Sequence, residues 1–259
     1  MRNILITGSS SGLGQEFAKQ FSTPQTRLFL SGRNEGRLEE TAKMCLKQGG
    51  EVHTLCVDVT DREAMKLWIS DISRKFDIDL VIANAGVSGG MSGNAIADFQ
   101  KDYTIFETNL FGVMNTVLPA IPKMIANKSG HIVMISSMAG FFPMPSAPSY
   151  SASKAAVRFY GEALRPKLAR HGIKVSVICP GFIRSRMTDT NDFKMPFFME
   201  TDKAVTYMIS KINDEKKNIH FPWQMSIIIK LVAMIPSCIL SALLKFLPDK
   251  KPLADTTNI

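Results

Sequence analysis

The stretch that decides the fold lies near the start of the chain and reads Asn3-Ile4-Leu5-Ile6-Thr7-Gly8-Ser9-Ser10-Ser11-Gly12-Leu13-Gly14. The apolar run up to Thr7 predicts a buried strand, and a helix is predicted from Gly12 onwards. Glycines between these elements let the backbone turn tightly and approach a pyrophosphate, and the helix N-terminus offers unpaired N–H groups. The pattern is typical of a phosphate-binding turn, although an ordinary strand–helix turn that merely needs glycine would have the same pattern.

Strands and helices alternate along the rest of the chain. Nearly continuous apolar runs predict strands at Asn3–Thr7, Arg27–Ser31, Glu51–Val57, Leu80–Ala83, His131–Ser136 and Lys174–Cys179. Helices are predicted at Gly12–Phe21, Glu35–Gln48, Asp61–Phe76, Asp98–Ala126 and Ser151–Arg170. This alternation predicts an α/β fold, a doubly wound parallel sheet of the Rossmann type with helices on both faces, whose ligands bind at the carboxyl ends of the strands. We expect one domain over residues 1–259, with the cofactor and catalytic motifs in 1–188 and a substrate loop and apolar C-terminal helices in 189–259.

A second motif, Tyr150-Ser151-Ala152-Ser153-Lys154, lies at the start of the last of these helices. Residues four apart share one helix face, so the Lys154 ammonium is expected beside the Tyr150 phenol. Free tyrosine has a pKa near ~10, too high for proton exchange at neutral pH, and a nearby positive charge lowers that pKa. Ser137, thirteen positions before the tyrosine, has a hydroxyl suited to holding a substrate carbonyl. A Tyr-x-x-x-Lys pair alone is weak evidence, because it arises by chance on many helices.

Motifs spread from residue 7 to about residue 188 resemble those of the short-chain dehydrogenase/reductase family, which are nicotinamide-dependent oxidoreductases. They are Thr7-Gly8-x3-Gly12-x-Gly14, Asp58-Val59, Asn84-Ala85-Gly86, Asn109, Ser137, Tyr150-x3-Lys154 and Pro180-Gly181. The resemblance implies that Tyr150 is the catalytic acid/base, and that Lys154 lowers its pKa and binds the nicotinamide ribose. It also implies that Ser137 positions the substrate oxygen and that Asn109 holds a water that relays protons. Ser137 is preferred over its neighbour Ser136 because its offset from the tyrosine matches the family and because strand alternation points Ser136 the other way.

The tip of the second predicted strand bears on cofactor choice. Enzymes that bind NAD usually place Asp or Glu there for the ribose 2′-hydroxyl, whereas this chain has Arg33. A guanidinium pairs with a 2′-phosphate through its planar fork, which favours NADP(H), and a solvated surface arginine is the alternative. Asp58 is expected to accept the adenine amino group, unless it caps the helix that starts near Asp61. By resemblance, the other cofactor contacts come from Gly8, Ser9, Ser10, Ser11, Gly12, Leu13, Gly14, Val59, Asn84, Ala85, Gly86, Tyr150, Lys154, Pro180, Gly181, Ile183 and Ser185.

Composition limits the partners. The net charge of +8 comes from 31 basic and 23 acidic residues, but no recognition module accompanies the charge, so nucleic acid is not an expected partner. Arg184 and Arg186 are candidates for contact with cofactor phosphate or an acidic substrate group, or are simply solvated. The four histidines lack metal-ligand spacing, so no metal is expected. The four cysteines lie in apolar surroundings without CxxC spacing, and the first strand begins almost at Met1; both favour a cytoplasmic location without a signal peptide.

Apolar residues flank the expected mouth of the site. Phe141–Pro145 and Phe193–Met199 form an adaptable lining suited to a lipophilic carbonyl, unless they only cap the core. The C-terminal part has no Val-Asp-Gly-Gly strand of the kind that ends many family members. Instead, an apolar stretch runs from Met225 to Leu247, with a narrow polar stripe made of Ser226, Lys230, Ser237, Ser241 and Lys245. Its partner is the substrate pocket, a second subunit in a homodimer, or a membrane interface that it contacts peripherally.

The sequence thus favours an oxidoreductase that transfers a hydride between NADP(H) and a lipophilic carbonyl or secondary alcohol, resembling a steroid, retinoid or fatty-acyl compound of lipid metabolism. One alternative is a 3-oxoacyl-carrier-protein reductase, which the missing C-terminal strand disfavours. Another is a non-catalytic NADP(H)-sensing scaffold on the same fold, against which the complete set of four catalytic candidates argues.

Overall fold

The computed structural model describes residues 1–89, 99–189, 195–236 and 238–240. Seven parallel strands form one sheet in the order β3-β2-β1-β4-β5-β6-β7. They are β1 Arg2–Thr7, β2 Thr26–Gly32, β3 Glu51–Cys56, β4 Leu80–Ala83, β5 Gly130–Ile135, β6 Ile173–Pro180 and β7 Asn218–Phe221. The chain runs outward from β1 to β3 and then returns to place β4 beside β1. Ligand sites of doubly wound sheets lie at this reversal, outside the carboxyl ends of the strands.

Helices cover both faces of the sheet, as predicted. They are α1 Gly12–Phe21, α2 Glu35–Lys47, α3 Arg62–Lys75, α4 Phe99–Phe106, α5 Gly112–Val117, α6 Ile121–Asn127, α7 Pro148–Ala169, α8 Arg186–Asp189, α9 Thr201–Asn213 and α10 Trp223–Ala233. Alternation along β1 sends Ile4 and Ile6 into the core under α1 and α9, and Leu5 into the core under α3 and α5. The doubly wound fold predicted from the sequence is therefore confirmed.

The long predicted helix over Asp98–Ala126 is interrupted. Asp98 lies outside the described residues. After α4, a π-helical segment spans Glu107–Phe111, and a 3-10 turn at Leu118–Ala120 separates α5 from α6. The π-helical segment places the buried Asn109 in an irregular turn, and such π-bulges are frequent at functional sites.

The prediction that the chain lacks a C-terminal strand was wrong. β7 pairs with β6 from Val177↔Asn218 to Pro180↔Phe221, although the residues are not those of a glycine-rich strand. The Arg165 guanidinium supports this edge by donating to the Lys217 carbonyl at 2.7 Å. A missing C-terminal strand is therefore no longer an argument against a 3-oxoacyl-carrier-protein reductase.

Candidate active site

The turn between β1 and α1 can be built only from glycine at three positions. Gly8 and Gly12 have φ of +69° and +54°, a region that other residues rarely adopt. A Cβ at Gly8 would lie 2.8 Å from the Ala85 Cα, and one at Gly14 would lie 2.2 Å from the Gly8 carbonyl oxygen. The turn is thus packed directly against the end of β4, and it leaves the N-terminus of α1 open to a ligand.

Hydrogen bonds fasten this turn to the ends of the neighbouring strands. The Asn84 amide donates to the Thr7 carbonyl at 2.9 Å, and the Thr7 hydroxyl accepts from the N–H groups of Asn84 and Ala85 at 3.2 and 3.3 Å. The Ser9 hydroxyl turns inward to the Ile6 carbonyl, and the Ser9 N–H donates to the Ser31 carbonyl. Asn84 and Ser9 therefore stabilise the turn itself, and their contacts with a cofactor stay predictions.

The open end of α1 fits a pyrophosphate. Ser11 precedes the helix in an extended conformation, and its side chain makes no capping hydrogen bond. Backbone N–H groups of the first turn of a helix are unpaired within the helix, and they bind anionic oxygens. Ser10 packs against Gly32 at the tip of β2, and the Ser185 side chain lies 3.7 Å from where a Gly12 Cβ would be. The turn, β2 and the segment after β6 therefore enclose one cradle, and its residues fit a nicotinamide dinucleotide.

Arg33 and Asp58 form the far end of this cradle. The Arg33 guanidinium lies 3.5 Å from the Asp58 carboxylate, and both side chains are about one-third exposed. The N–H of Thr60 donates to Asp58, whereas Asp61 is the residue that caps α3 by accepting from Ala64. The alternative that Asp58 caps this helix is therefore wrong, and its carboxylate points towards the arginine instead.

Val59 follows Asp58 and is buried in the hydrophobic core. Its carbonyl accepts from the Asn115 amide at 2.9 Å, and its side chain would collide with any Cβ at Gly112. A backbone contact from Val59 to a cofactor would accordingly have to use its N–H. This contact remains a prediction.

Two further arginines add positive charge near Arg33: Arg37, which the sequence analysis did not single out, and Arg186, which it named as a candidate for contact with cofactor phosphate. Arg37 stands in the first turn of α2, and its Nε is buried without a hydrogen-bond partner among the described residues. Burial lowers the pKa of Arg37, and so do the like charges of Arg186 and Arg33, while Glu40 raises it. Arg186 begins α8, on the substrate side of the site. The spacing of four between Arg33 and Arg37 was a usable signal, but only the fold brings Arg186 to them.

Tyr150, Lys154 and Ser137 come together as predicted at the carboxyl ends of β5 and β6. The Lys154 Nζ donates to the Ile135 carbonyl at 3.0 Å and lies 6.0 Å from the centre of the Tyr150 ring. Burial lowers the pKa of Lys154 to about 8. Burial raises the pKa of the Tyr150 phenol, while a hydrogen bond with Ser137 lowers it. Burial is thus the larger of these two effects on the Tyr150 pKa, and the lowering of that pKa by Lys154 stays a prediction.

Ser136 and Ser137 have different surroundings. Ser136 is buried, and its hydroxyl donates to the Lys154 carbonyl at 2.7 Å. Ser137 begins a short 3-10 turn over Met138–Phe141, where its hydroxyl accepts from the Ala139 N–H and stays next to the Tyr150 phenol. Ser136 thus braces α7, and Ser137 is the serine available to a substrate.

Asn109 joins this group from the π-helical segment. Its side-chain oxygen accepts from the Val87 N–H at 2.8 Å, and its amide donates to the Val87 carbonyl and to the Ser153 hydroxyl at 2.9 and 3.1 Å. A Cβ at Gly86 would lie 3.1 Å from the Asn109 Oδ1 and 3.3 Å from the Lys154 Nζ. Gly86 therefore keeps open the space between these two groups, where the predicted relay water would sit.

The segment after β6 closes the site. The Gly181 N–H donates to the Phe221 carbonyl at 2.8 Å, and a Cβ at Gly181 would lie 2.6 Å from the Met225 sulfur. Ile183 is buried and pairs with Met199 in an isolated bridge. Thr188, which the sequence analysis did not single out, binds both the N–H and the hydroxyl of Ser185. Pro180 ends β6 and pairs with the end of β7.

Two phenylalanines of the predicted apolar lining pack against other side chains of the protein. Phe141 packs edge-on against His220, with ring centres 5.1 Å apart, and lies under the Arg158 guanidinium. Phe198 lies 5.4 Å from the Arg184 guanidinium. Residues 193 and 194 fall outside the described residues. In the described part of the chain, no group of three or more His, Cys, Asp or Glu is placed to hold a metal.

Comparison with known proteins identifies the family. A model of the short chain dehydrogenases matches residues 2–195. An uncharacterized oxidoreductase of Myxococcus xanthus is 35% identical over 242 residues, covering 93% of this chain and 95% of its own. Mouse estradiol 17-beta-dehydrogenase 11 is 30% identical over 244 residues, with 93% of this chain and 82% of the mouse protein covered. The chain therefore belongs to the short-chain dehydrogenase/reductase family.

Solved structures agree on the fold. A short-chain dehydrogenase from Sphingobium yanoikuyae in complex with NADPH has a TM-score of 0.78 at 24% identity, covering 98% of this chain and 99% of that chain. One from Mycobacterium paratuberculosis bound to NAD has a TM-score of 0.75 at 22% identity, covering 85% and 95%. Members of this fold thus carry either nicotinamide cofactor, so the likeness does not decide between them.

Proposed function

We propose that this oxidoreductase transfers a hydride between NADP(H) and a lipophilic carbonyl or secondary alcohol. One observation carries the proposal: Tyr150, Ser137, Lys154 and Asn109 meet at the carboxyl ends of β4, β5 and β6, next to the glycine turn. A sensor that only bound the cofactor would not need a phenol and a serine hydroxyl aimed at one point. The alternative of a non-catalytic scaffold is accordingly disfavoured.

The four side chains have different roles in the reaction at the substrate oxygen. Ser137 and Tyr150 donate hydrogen bonds to the carbonyl oxygen and fix its position, and in reduction the phenol gives up its proton to that oxygen. The buried Lys154 ammonium stabilises the phenolate that results. Asn109 holds the Val87 backbone and Ser153 in place, so the ends of β4 and α7 keep their separation. The cofactor, when bound, supplies or accepts the hydride.

The preference for NADP(H) rests on charge at the tip of β2. Arg33 and Arg186 both act as like charges on the Arg37 guanidinium, and the carboxylates of Glu40 and Asp58 oppose this positive charge. A 2′-phosphate would relieve this repulsion, whereas a ribose hydroxyl would not. Arg33 supplies the planar fork at the position where NAD-binding enzymes usually carry an acid.

The substrate class and the location rest on different features. Met225 lies against Gly181 beside the site, and methionine adapts to apolar ligands, which favours a lipophilic substrate. For location we propose the cytoplasm, because all four cysteines are free. Burial raises the pKa of Cys45 to about 11 and of Cys179 to about 12, as for inert core thiols. The expectation of apolar surroundings is wrong for Cys56 and Cys238, which are exposed.

The direct experiment is to follow loss of NADPH or NADH absorbance with steroid, retinoid, fatty-acyl and small polar carbonyls. We expect turnover of a lipophilic member with NADPH, and little with NADH. Arg33→Ala should reduce the preference for NADPH over NADH in turnover. Tight NADPH binding without turnover of any class would favour the scaffold alternative, and a preference for NADH would reverse the cofactor assignment.

A further inference from the structure

The solvent-facing side of α10 is apolar. Trp223, Ile227, Leu231 and Met234 follow one another at spacings of four, four and three, so they form one stripe along the helix. Their exposed fractions are 67%, 51%, 61% and 80%. A surface helix normally turns its apolar face inward, so this arrangement is the reverse of the usual one. We call these four residues the outer stripe.

Of the polar stripe expected from the sequence, Ser226 and Lys230 lie on the described part of the chain, and Ser237, Ser241 and Lys245 fall outside it. Ser226 is buried at 7% exposure, while Lys230 is exposed beside the outer stripe. Ile228 and Ile239 are each more than half exposed and extend the apolar surface. Soluble monomers rarely present a contiguous apolar surface of this kind unless it contacts a partner or a membrane.

The charges near α10 favour an anionic partner. No Asp or Glu occurs between residues 216 and 248, and Lys230 is exposed on α10 itself. Two copies joined through the outer stripe would bring their Lys230 ammonium groups towards each other, with no acidic residue on the helix to pair with them. Apolar insertion with flanking lysines and a tryptophan is the chemistry of a helix lying in a phospholipid interface.

The opposite side of α10 reaches the active site. Met225 fills the space over Gly181, and the helix packs against the turn over Met138–Phe141 that follows Ser137. One short helix therefore has the cofactor site on one side and the outer stripe on the other. Within the described residues, no helix is long and apolar enough to cross a bilayer, so the contact in question is a surface contact.

We propose that the outer stripe docks on an anionic phospholipid surface and holds the mouth of the site against it, so that lipophilic substrate enters from lipid. The docking stands on the stripe and its charges alone; the entry of substrate rests on the proposed function. Lysines next to such a surface are attracted to the anionic headgroups and salt screens that attraction, so the attachment should weaken with salt.

The test uses the full-length protein and sedimented vesicles of phosphatidylcholine, with and without an equal part of phosphatidylserine. We expect wild type to bind the anionic vesicles at low salt and to be released at high salt. Ile227→Gln/Leu231→Gln should bind roughly tenfold or more weakly, because two inserted aliphatic side chains are lost. Leu46→Gln/Leu67→Gln is the matched control, since both leucines are more than half exposed on α2 and α3. It should bind like wild type.

Three results would overturn the docking: wild type that stays in the supernatant at low salt, an α10 variant that binds like wild type, or equal loss in the control. A wild type that ignores vesicles but is a dimer, while the α10 variant is a monomer, would assign the stripe to a second copy instead. Turnover of the same panel of carbonyls with NADPH is measured on these preparations without vesicles. Its absence for every class would count against the proposed function and not against docking.

Discussion

The Nζ of Lys154 donates a hydrogen bond of 3.0 Å to the main-chain oxygen of Ile135. Ile135 ends β5, and Ser137 follows two residues later, so this bond fixes the ammonium beside the serine that faces the site. Lys154 is only 4% exposed, and burial lowers its pKa from 10.5 to about 8. The ammonium therefore keeps its proton at neutral pH with little margin.

We predict that the ionisation of Lys154 makes the stability of the protein depend on pH. Between pH 8 and pH 10.5, the unfolded chain binds the lysine proton and the folded protein does not, so the free energy of unfolding rises with pH in that window. Relative to Lys154→Met, wild type should gain about 3 kcal/mol across the window, from about 1.4 kcal/mol for each pKa unit. Urea unfolding of both proteins at several pH values measures this gain. A constant difference between them would mean that Lys154 titrates at its ordinary pKa.

Gly86→Ala should damage activity far more than stability. The added methyl would lie 3.1 Å from the Asn109 Oδ1 and 3.3 Å from the Lys154 Nζ, in the space we assign to the proton relay. We expect a fall of roughly 100-fold in kcat, the scale of a lost proton-transfer step. Gly36→Ala is the control, because its nearest neighbour would be 3.9 Å away in the first turn of α2. Near-normal turnover of Gly86→Ala would show that this space is not used.

The two arginines that join Arg33 should act on the 2′-phosphate. Arg186→Met and Arg37→Met are each expected to weaken NADPH roughly tenfold and NADH less than twofold, because only NADPH carries the extra phosphate. Arg184→Met is the matched control, since Arg184 pairs with Glu200 at 2.9 Å. Titration calorimetry with both cofactors gives the four affinities. Equal weakening of NADPH and NADH by Arg186→Met would place this arginine on the pyrophosphate instead.

The sequence was informative wherever local pattern and structure coincide. Apolar runs located β1 to β6 to within one residue at each end, since buried parallel strands have that composition. The edge strand β3 is the exception, because none of its residues is buried. α1 was predicted with its observed bounds, Gly12–Phe21, because the glycine turn marks its start. The site residues came from motif spacing, which the fold then brought together at one edge of the sheet.

Features that depend on distant partners could not be predicted in this way. β7 has four residues, and it is a strand because β6 offers an edge and Arg165 binds the Lys217 carbonyl. Burial raises the pKa of Tyr150, and a Tyr-x-x-x-Lys spacing does not report how much of the side chain the fold covers. Arg186 affects the pKa of Arg37 because the segment after β6 returns to the glycine turn, where Ser185 lies beside Gly12. The face that α10 presents to solvent likewise depends on what lies beneath it.

The central claim is that the Tyr150 phenol exchanges the proton with the substrate oxygen. Phenylalanine keeps the packing of the ring and removes only the hydroxyl. The measurement is kcat of Tyr150→Phe on a confirmed carbonyl substrate, beside its affinity for NADPH, with Tyr103→Phe as a control because that tyrosine is exposed on α4. We predict a loss of roughly 100-fold or more in kcat with NADPH affinity within about twofold of wild type. Turnover close to wild type in Tyr150→Phe would contradict the account.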